Sequence, residues 1–356
     1  HGGNEWTEGN HFTFDFAEDT GKIEINFNQI LTEKVVITYT TEIDFDKADL
    51  SEGSFVNNAS LEWIPENETQ KVTKTGTATF TPDEYTQNNG FKNGSYNPAT
   101  KEITWRIGVN YNKETLENVE VEDIIQGEQN FDINNVAVYM MELTGEEKGY
   151  SKGEDVTDQF SLTDISGEND EPGFNVALGN INSPYLIEFT TDLNDMLIER
   201  SYKNEALITV DNSDDIQVDA TVSPDHGGEY TYKEASQNGR IVNWDIRINY
   251  TQSTVNNLSL TDTLSINQRL LPETIKVYGT TVTKSGISPN DDPLEEGNDY
   301  EITITKNESG QDRFTIEFKE EVIDKPYVLE YDSYILYAGE DESISNELTF
   351  DAEQTG

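Results

Sequence analysis

The chain repeats itself at long range, and this repetition limits what it can fold into. The string ITWRIGVNYN at residues 103–112 matches VNWDIRINYT at residues 242–251, so that Trp105 corresponds to Trp244 at an offset of 139 positions. The same offset aligns NVEVEDII with NLSLTDTL and therefore Asp123 with Asp262. A repeat of this length indicates successive copies of one folded domain.

The second half of the repeat is present three times. SYKNEALIT matches SISNELTF, with Asn204 against Asn346 at an offset of 142 positions, and SFVNNASLEW near the start of the chain places Asn57 at the same position. We therefore divide the 356 residues into an incomplete unit at 1–66 and complete units at 67–211 and 212–356. The incomplete unit is the C-terminal half of a repeat.

Each unit is predicted to be a β-sandwich. Segments such as KVVITYTTEI, ITWRIGVNY, NWDIRINY and YVLEYDSYI alternate between apolar and polar residues and are rich in β-branched and aromatic residues. Clusters of Asn, Gly, Asp and Pro separate them and indicate turns. Many short strands without long helical patterns favour an all-β fold of tandem immunoglobulin-like or jelly-roll-like antiparallel sandwiches.

Composition excludes several classes of function. Seventy acidic and 23 basic residues give a net charge of −47, which disfavours nucleic acid and anionic lipid as partners. The chain has no cysteine, and its three histidines, His1, His11 and His226, are scattered, which argues against thiol chemistry and a histidine metal site. No apolar run is long enough to span a bilayer, so we expect no membrane insertion within this sequence.

One set of polar residues recurs in each complete unit. A lysine precedes the tryptophan strand, an aspartate follows it, and an asparagine lies on the last strand: Lys74, Asp123 and Asn204 in one unit, and Lys233, Asp262 and Asn346 in the other. If the sandwich core buries them, desolvation favours their neutral forms. A neutral lysine amine can attack the asparagine carboxamide, while a protonated aspartate polarises the carbonyl and transfers protons. The result is an amide cross-link formed once per site, without turnover.

A purely structural interpretation fits the same residues. A strand lysine is commonly solvated, Asp123 and Asp262 can begin turns, and the asparagines can cap loops. Trp105 and Trp244 are expected in the core, and Asn110 and Asn249 are expected to bond turn backbone. Asp211, Asp214 and Asp215 lie between the complete units, where oxygen-rich turns either are solvated or bind calcium. We assign no other cofactor.

The ordered strings KVTKTG, ITWRIGVN, VEVEDIIQGEQNFDINNVAV and SYKNEALIT resemble the collagen-binding-domain family of Gram-positive surface adhesins. The resemblance implies surface display and Lys–Asn isopeptide bonds promoted by aspartate. Carried over by position, it pairs Lys74 with Asn204 near Asp123, and Lys233 with Asn346 near Asp262. Because 31 positions separate Lys74 from Trp105, Lys71 and Lys92 remain alternatives. Asn57 would be an acceptor without a lysine partner in this chain.

The predicted function is that of an extracellular, cell-wall-attached adhesin or stalk module. Its expected partners are a host matrix protein or glycan and neighbouring repeats of the same protein, and we predict no enzymatic activity beyond cross-linking. Collagen binding does not follow directly, because the outward positions beside the tryptophans are Arg106, Gly108, Asp245 and Arg247, with Tyr232 as the one suggestive aromatic. The alternatives are a structural surface-layer or stalk repeat without ligand, and accessory domains of a carbohydrate-active enzyme.

Overall fold

The fold was analysed in a computed structural model that describes residues 6–32, 34–41, 53–337 and 343–354. Nearly all regular structure is antiparallel β-strand. Within these residues it is completed by one short helix, α1 (Glu84–Asn88), and two 3₁₀ turns, Ile133–Asn135 and Thr157–Gln159. The predicted class of tandem antiparallel β-sandwiches is confirmed.

The chain divides by packing into residues 1–49 and 50–356. The first part contains a hairpin of β1 (Phe12–Ala17) and β2 (Lys22–Phe27), paired from Phe12 opposite Phe27 to Ala17 opposite Lys22. Trp6 stacks on His11 with 5.3 Å between ring centroids. This aromatic contact fixes one end of an otherwise solvated hairpin.

The first complete sandwich has two sheets that enclose one apolar core. One sheet has the order β10-β9-β13-β6-β5, with β8 beside β13, and the other has the order β11-β12-β7-β14-β15. Their strands are β5 (Gly90–Asn97), β6 (Glu102–Val109), β7 (Leu116–Ile124), β8 (Asn130–Phe131), β9 (Ala137–Leu143), β10 (Tyr150–Asp155), β11 (Ser161–Ser166), β12 (Pro172–Ile181), β13 (Tyr185–Asp192), β14 (Tyr202–Thr209) and β15 (Ile216–Val222). Alternate residues point inward, and fully buried Trp105, Phe174 and Phe189 form the centre of the core.

The second sandwich repeats this plan. Its sheets have the orders β16-β17-β24-β19-β20 and β21-β22-β18, with β23 and β25 both pairing with β18. The strands are β16 (Thr231–Asn238), β17 (Ile241–Ile248), β18 (Val255–Leu264), β19 (Gln268–Thr283), β20 (Gly286–Pro293), β21 (Tyr300–Lys306), β22 (Asp312–Phe318), β23 (Val322–Ile323), β24 (Tyr327–Ile335) and β25 (Asn346–Gln354). Trp244, Phe314 and Tyr331 occupy its core.

Strand pairing shifts both predicted unit boundaries. β15 pairs with β14 across the boundary predicted at 211/212, and a separate two-stranded sheet joins β3 (Phe55–Trp63) to β4 (Val72–Phe80) across the one predicted at 66/67. Asn57 lies opposite Ala78 just as Asn204 lies opposite Ala220. In each case the asparagine strand is therefore followed by a partner strand of its own unit, which the sequence comparison had assigned to the next unit.

One predicted strand near the start of the chain is absent. Residues 34–41, the described part of KVVITYTTEI, form no strand. In the sequence comparison this segment corresponds to β13, which is paired on both sides by β6 and β9. Among the described residues no sheet includes 34–41, and an alternating segment that is not extended into a sheet by neighbouring strands is not stable as a strand by itself.

The two sandwiches meet through loops. Thr254 donates a backbone hydrogen bond to the carbonyl of Met196 at 2.9 Å, and the backbone N–H of Ile198 donates to Ser253 Oγ at 2.8 Å. Lys101 Nζ donates to the carbonyl of Asp324 at 2.8 Å. Buried hydrogen bonds of this kind limit rotation at the junction.

Two glycines test whether β15 belongs to the first sandwich. A Cβ added at Gly94 on β5 would lie 2.4 Å from Val222 on β15 and 2.7 Å from the Trp105 ring, whereas Gly76 on β4 has no heavy atom within 4 Å of that position. We expect Gly94→Ala to lower the free energy of unfolding of the first sandwich by about 1–3 kcal/mol through overpacking. Gly76→Ala is the matched control and should leave that transition unchanged in urea unfolding. If the two substitutions destabilised the first sandwich equally, the packing of β5 against β15 would be contradicted.

Candidate cross-linking site

In both sandwiches the aspartate and the asparagine lie on neighbouring strands in the same register. Asp123 on β7 is opposite Ala206 on β14, and Asp262 on β18 is opposite Leu348 on β25. The asparagine is two residues before each of these partners. Side chains two residues apart on a strand share a face, so aspartate and asparagine are diagonal neighbours pointing into the core.

The lysine comes from the facing sheet. Lys92 on β5 is opposite Ile107 on β6, and Lys233 on β16 is opposite Ile246 on β17. Ile107 and Ile246 are themselves equivalent at the offset of 139 positions. Strand pairing thus makes Lys92 the structural counterpart of Lys233.

The first cluster is fully enclosed. The side chains of Lys92 and Asp123 are both 0% exposed, and Lys92 Nζ donates a short hydrogen bond to Asp123 Oδ2. Asn204 is also 0% exposed, and its amide oxygen and nitrogen find no regular hydrogen-bond partner among the described residues. The Asn204 side chain lies beside Asp123, and a buried carboxamide without a well-formed hydrogen bond is costly.

Burial drives the first pair toward its neutral forms. Desolvation lowers the pKa of Lys92, although the Asp123 carboxylate opposes that shift. Desolvation likewise raises the pKa of Asp123, opposed by Lys92 and by the side chain of Asn204. Neutralisation of both groups is the expected response to removal from water.

The second cluster has the same members and one addition. Lys233 Nζ donates to Asp262 Oδ2 at 2.6 Å, and the hydroxyl of Tyr331 donates to the same oxygen at 2.9 Å. Asn346 Nδ2 donates a short hydrogen bond to that hydroxyl. The structure therefore brings Lys233, Asp262 and Asn346 together around Tyr331.

This cluster is slightly more open than the first. The Lys233 side chain is 12% exposed, while Asp262 is 0% exposed. Within the described residues β25 pairs with β18 alone, whereas β14 is flanked on both sides by β7 and β15. Desolvation lowers the pKa of Lys233 to about 8 and raises that of Asp262.

Aromatic rings shield both lysines. Lys92 Nζ lies 5.7 Å from the centroid of Trp105 and 5.5 Å from that of Phe189, and Lys233 Nζ lies 4.7 Å from Trp244 and 5.6 Å from Tyr331. Sequence reasoning assigned the tryptophans to the core, and both are buried there. The rings exclude water from the amines and hold them above the carboxyl groups.

A polar relay that the sequence reasoning missed anchors each indole. Trp105 Nε1 donates to Thr191, whose hydroxyl donates to Gln129 at 2.7 Å. In the second sandwich Trp244 Nε1 donates to Ser333 at 2.9 Å, and Ser333 donates to Gln268 at 2.6 Å. Gln129 and Gln268 are 139 positions apart, and Thr191 and Ser333 are 142 positions apart. The repeat in the sequence is therefore the signal that identifies these residues.

The prediction of Lys74 as the first lysine is wrong. Lys74 is exposed on β4 opposite Leu61, and Lys71, also exposed, forms an ion pair with Glu62. Lys92, the other alternative, contacts Asp123. The distance to the tryptophan distinguishes the correct lysine in the sequence. Lys92 precedes Trp105 by 13 positions and Lys233 precedes Trp244 by 11, and the difference arises because the β5–β6 turn is longer. Asn57 is exposed on β3, outside both clusters.

Comparison with known proteins identifies a family for both sandwiches. The family model of the collagen binding domain matches residues 87–219 and 230–356, which is most of the chain and follows the two sandwiches. The chain belongs to the collagen-binding-domain family of Gram-positive surface adhesins. This is a family of binding domains rather than of enzymes. No described helix is long and apolar enough to cross a bilayer.

Solved structures of this family are only distantly similar to the chain. The collagen-binding domain of a Staphylococcus aureus adhesin is 16% identical, with 38% of this chain and 97% of that chain covered and a TM-score of 0.29. The collagen-binding subdomain of the Enterococcus faecalis surface protein ACE is 15% identical, with 38% and 96% covered and a TM-score of 0.29. The collagen-binding domain of Erysipelothrix rhusiopathiae surface protein RspB is 14% identical, with 73% and 82% covered and a TM-score of 0.28. No curated protein sequence matches, so the assignment rests on the family model.

The outward faces of these two collagen-binding-family domains differ. In the first, Arg106 donates to Glu188 at 2.7 Å, and the space above Gly108 is filled by the Phe91 ring, which stacks on Tyr85 at 3.9 Å. The outward face thus carries aromatic side chains that the inspection of Arg106 and Gly108 alone overlooked. In the second, Arg247 lies 5.1 Å above the ring of Tyr232.

The aspartates between the two domains do not form a metal centre. Asp211 Oδ2 accepts a hydrogen bond from Asn118 at 2.7 Å, and Asp215 Oδ1 accepts one from the backbone N–H of Val210 at 3.4 Å. The described residues, which include Asp214, contain no group of three or more acidic or histidine side chains suited to a metal ion. The geometry gives no support to calcium here.

Removal of Lys92 should be far more damaging than removal of Lys74. We expect Lys92→Ala to lower the free energy of unfolding of the first sandwich by about 3–5 kcal/mol, because it leaves Asp123 buried without its partner. Lys74→Ala removes an exposed side chain and should leave the transition at its wild-type position. Denaturant unfolding of the two variants measures the difference; the reverse order would restore Lys74 to the site.

Proposed function

We propose that the chain is an extracellular adhesive or spacing module in which each sandwich is closed by an isopeptide bond, Lys92 to Asn204 and Lys233 to Asn346. The observation that carries the proposal is the convergence of lysine, aspartate and asparagine in the core of both sandwiches, in equivalent register. Two independent copies of one buried polar cluster are hard to explain as packing, because apolar residues fill such positions at lower cost.

The chemistry requires only the groups present. The neutral lysine amine attacks the asparagine Cγ, so that the Nζ–Cγ bond forms, the Cγ–Nδ2 bond breaks and ammonia leaves. The protonated aspartate polarises the carbonyl and gives its proton to the leaving nitrogen, and its carboxylate then accepts the proton from Nζ, so that the aspartate ends protonated as it began. Fixed proximity supplies about 7–11 kcal/mol of the barrier, enough for a reaction that occurs once.

The location of the bond suits a protein under load. Each lysine belongs to one sheet and each asparagine to the facing sheet, so the amide would join the two sheets through the core. A tie between positions 92 and 204 closes a loop of more than 100 residues, for which chain entropy gives about 4–5 kcal/mol of stabilisation. We infer that the bond protects the module against force and proteolysis.

The second sandwich offers a surface for a ligand. A groove of about 590 Å³ runs over its outward face, and Glu234, Asp245 and Glu330 form a continuous row across β16, β17 and β24. Lys276 on β19 ends that row. An acidic groove favours a ligand with basic side chains, and the family relationship makes a host matrix protein such as collagen the first candidate, ahead of a glycan.

A spacing role is supported by the junction. The hydrogen bonds that join residues 196–198 to 251–254, together with Lys101 and Asp324, hold successive sandwiches in contact. The high negative charge opposes collapse and association of a long array. We further propose that the module is attached to the cell wall and contacts further repeats of the same protein.

Intact mass under denaturing conditions tests the cross-links. Each bond removes one ammonia, about 17 Da, so two bonds lower the mass of the chain by about 34 Da. Asn204→Ala and Asn346→Ala should each abolish one of the two losses, and Asp262→Ala should abolish that of the second sandwich because the proton carrier is gone.

The controls separate the cross-link from other modifications. Lys74→Ala and Asn57→Ala change residues outside both clusters and should retain the full loss. A wild-type chain whose mass equals that calculated from its sequence contradicts the proposal. Retention of the loss in Lys92→Ala would contradict the assignment of the first lysine.

A further inference from the structure

The two clusters differ at one core position. Phe189 and Tyr331 occupy equivalent places on β13 and β24, and their ring centroids lie 5.5 and 5.6 Å from the respective lysine Nζ atoms. The rings fill the same space. The hydroxyl of Tyr331 is the chemical difference between them.

That hydroxyl contacts every reacting group of the second cluster. It donates to Asp262 Oδ2 at 2.9 Å and lies 3.3 Å from Lys233 Nζ, which donates to it. It also accepts a short hydrogen bond from Asn346 Nδ2, the atom that leaves as ammonia. Tyr331 is 2% exposed, so no bulk water competes for these contacts.

The environment keeps the hydroxyl protonated. Desolvation, followed by the charge of Asp262, raises the pKa of Tyr331 above its ordinary value. A phenol that stays protonated while it contacts both a carboxyl group and a leaving nitrogen can pass a proton between them without carrying a charge.

We propose that Tyr331 relays the proton that converts the Asn346 amide nitrogen into ammonia. This inference rests on the proposed isopeptide bond and specifies how it forms in the second sandwich. When Nζ of Lys233 bonds to Cγ of Asn346, Nδ2 gains a lone pair and a proton from Nζ passes to Asp262 Oδ2. The Tyr331 hydroxyl then turns from Asp262 to Nδ2 and gives its proton to Nδ2, while Asp262 passes one to the Tyr331 oxygen. The Cγ–Nδ2 bond breaks, ammonia departs, and Asp262 and Tyr331 are restored.

The first sandwich reacts without this relay. Phe189 has no hydroxyl, so Asp123 alone transfers the proton to Asn204 within a fully enclosed cluster. In the second cluster Asn346 is half-buried on β25, and Lys233 remains 12% exposed. A fixed hydroxyl bridging Asp262 and Nδ2 compensates for this looser enclosure by holding the proton path in place.

The rate of ammonia loss in newly made protein tests the relay. The full chain is synthesised in a cell-free system with a short isotopic pulse, quenched in denaturant at intervals and digested, and the second-sandwich peptides are weighed. We expect Tyr331→Phe to slow the loss in the second sandwich at least tenfold, since general acid–base groups contribute about 10²–10⁴-fold. The first sandwich in the same molecules should react at its wild-type rate.

Each result has a distinct meaning. If wild-type protein never loses ammonia from the second sandwich, the isopeptide proposal itself is contradicted. If wild-type protein loses it and Tyr331→Phe loses it equally fast or faster, the relay alone is contradicted. Tyr334→Phe is the matched control: it removes an exposed hydroxyl from the same strand and should leave the rate of the second sandwich unchanged, and slowing equal to that of Tyr331→Phe would contradict the relay.

A folding defect is separated from a chemical one by variants that cannot react. Asn346→Ala and Asn346→Ala/Tyr331→Phe should unfold at similar temperatures, since Phe189 shows that a phenyl ring fits this position. If the double variant is unfolded, fluorotyrosine at position 331 replaces it, because it keeps the ring and hydroxyl while changing the acidity of the hydroxyl. An unchanged reaction rate with fluorotyrosine would then overturn the relay.

Discussion

The contact between a lysine and an aspartate beneath a tryptophan, in the dry space between two sheets, is the constraint on which the rest of this structure depends. Two opposite charges at this position lose their hydration and recover only part of it from each other. Because of that cost, the pKa of each lysine is lowered and the pKa of each aspartate is raised, so that both groups tend toward their neutral forms. The surrounding strands must therefore hold the pair in a fixed geometry, and the asparagine beside it lies within that same geometry.

The two sandwiches show how local pairing controls this site. In the first, β14 is covered by β15 and the cluster is closed; in the second, β25 pairs among the described residues with β18 alone, and Lys233 retains partial exposure. Tyr331 in place of Phe189 adds hydrogen bonds where the enclosure is weaker. One architecture thus holds the same lysine, aspartate and asparagine with two different sets of neighbours.

Much of this arrangement was predictable from the sequence, for identifiable reasons. Alternation and the 139-residue offset give the sandwiches, the core tryptophans, Asp123, Asp262 and the asparagines, because register is preserved within strands. Lys74 failed because a Lys-Thr-Gly string was matched without its strand partner, and hairpin pairing, which places Lys92 opposite Ile107, is a contact between strands. The pairing of β14 with β15 across the boundary predicted at 211/212 was not visible in the sequence for the same reason, since the loop between them resembles a linker. Tyr331 is visible in the sequence as the counterpart of Phe189, but only the folded structure shows that its hydroxyl contacts Asp262 and Asn346.

Tandem mass spectrometry of peptides from the digested, denatured protein is the decisive measurement for the two cross-links. We expect branched peptides in which the side chain of Lys92 is joined to that of Asn204, and the side chain of Lys233 to that of Asn346, each lacking one ammonia. Recovery of all four residues in linear, unmodified peptides would contradict this expectation. In that case the buried clusters would be ordinary ion pairs, and the stability of the sandwiches would rest on packing alone.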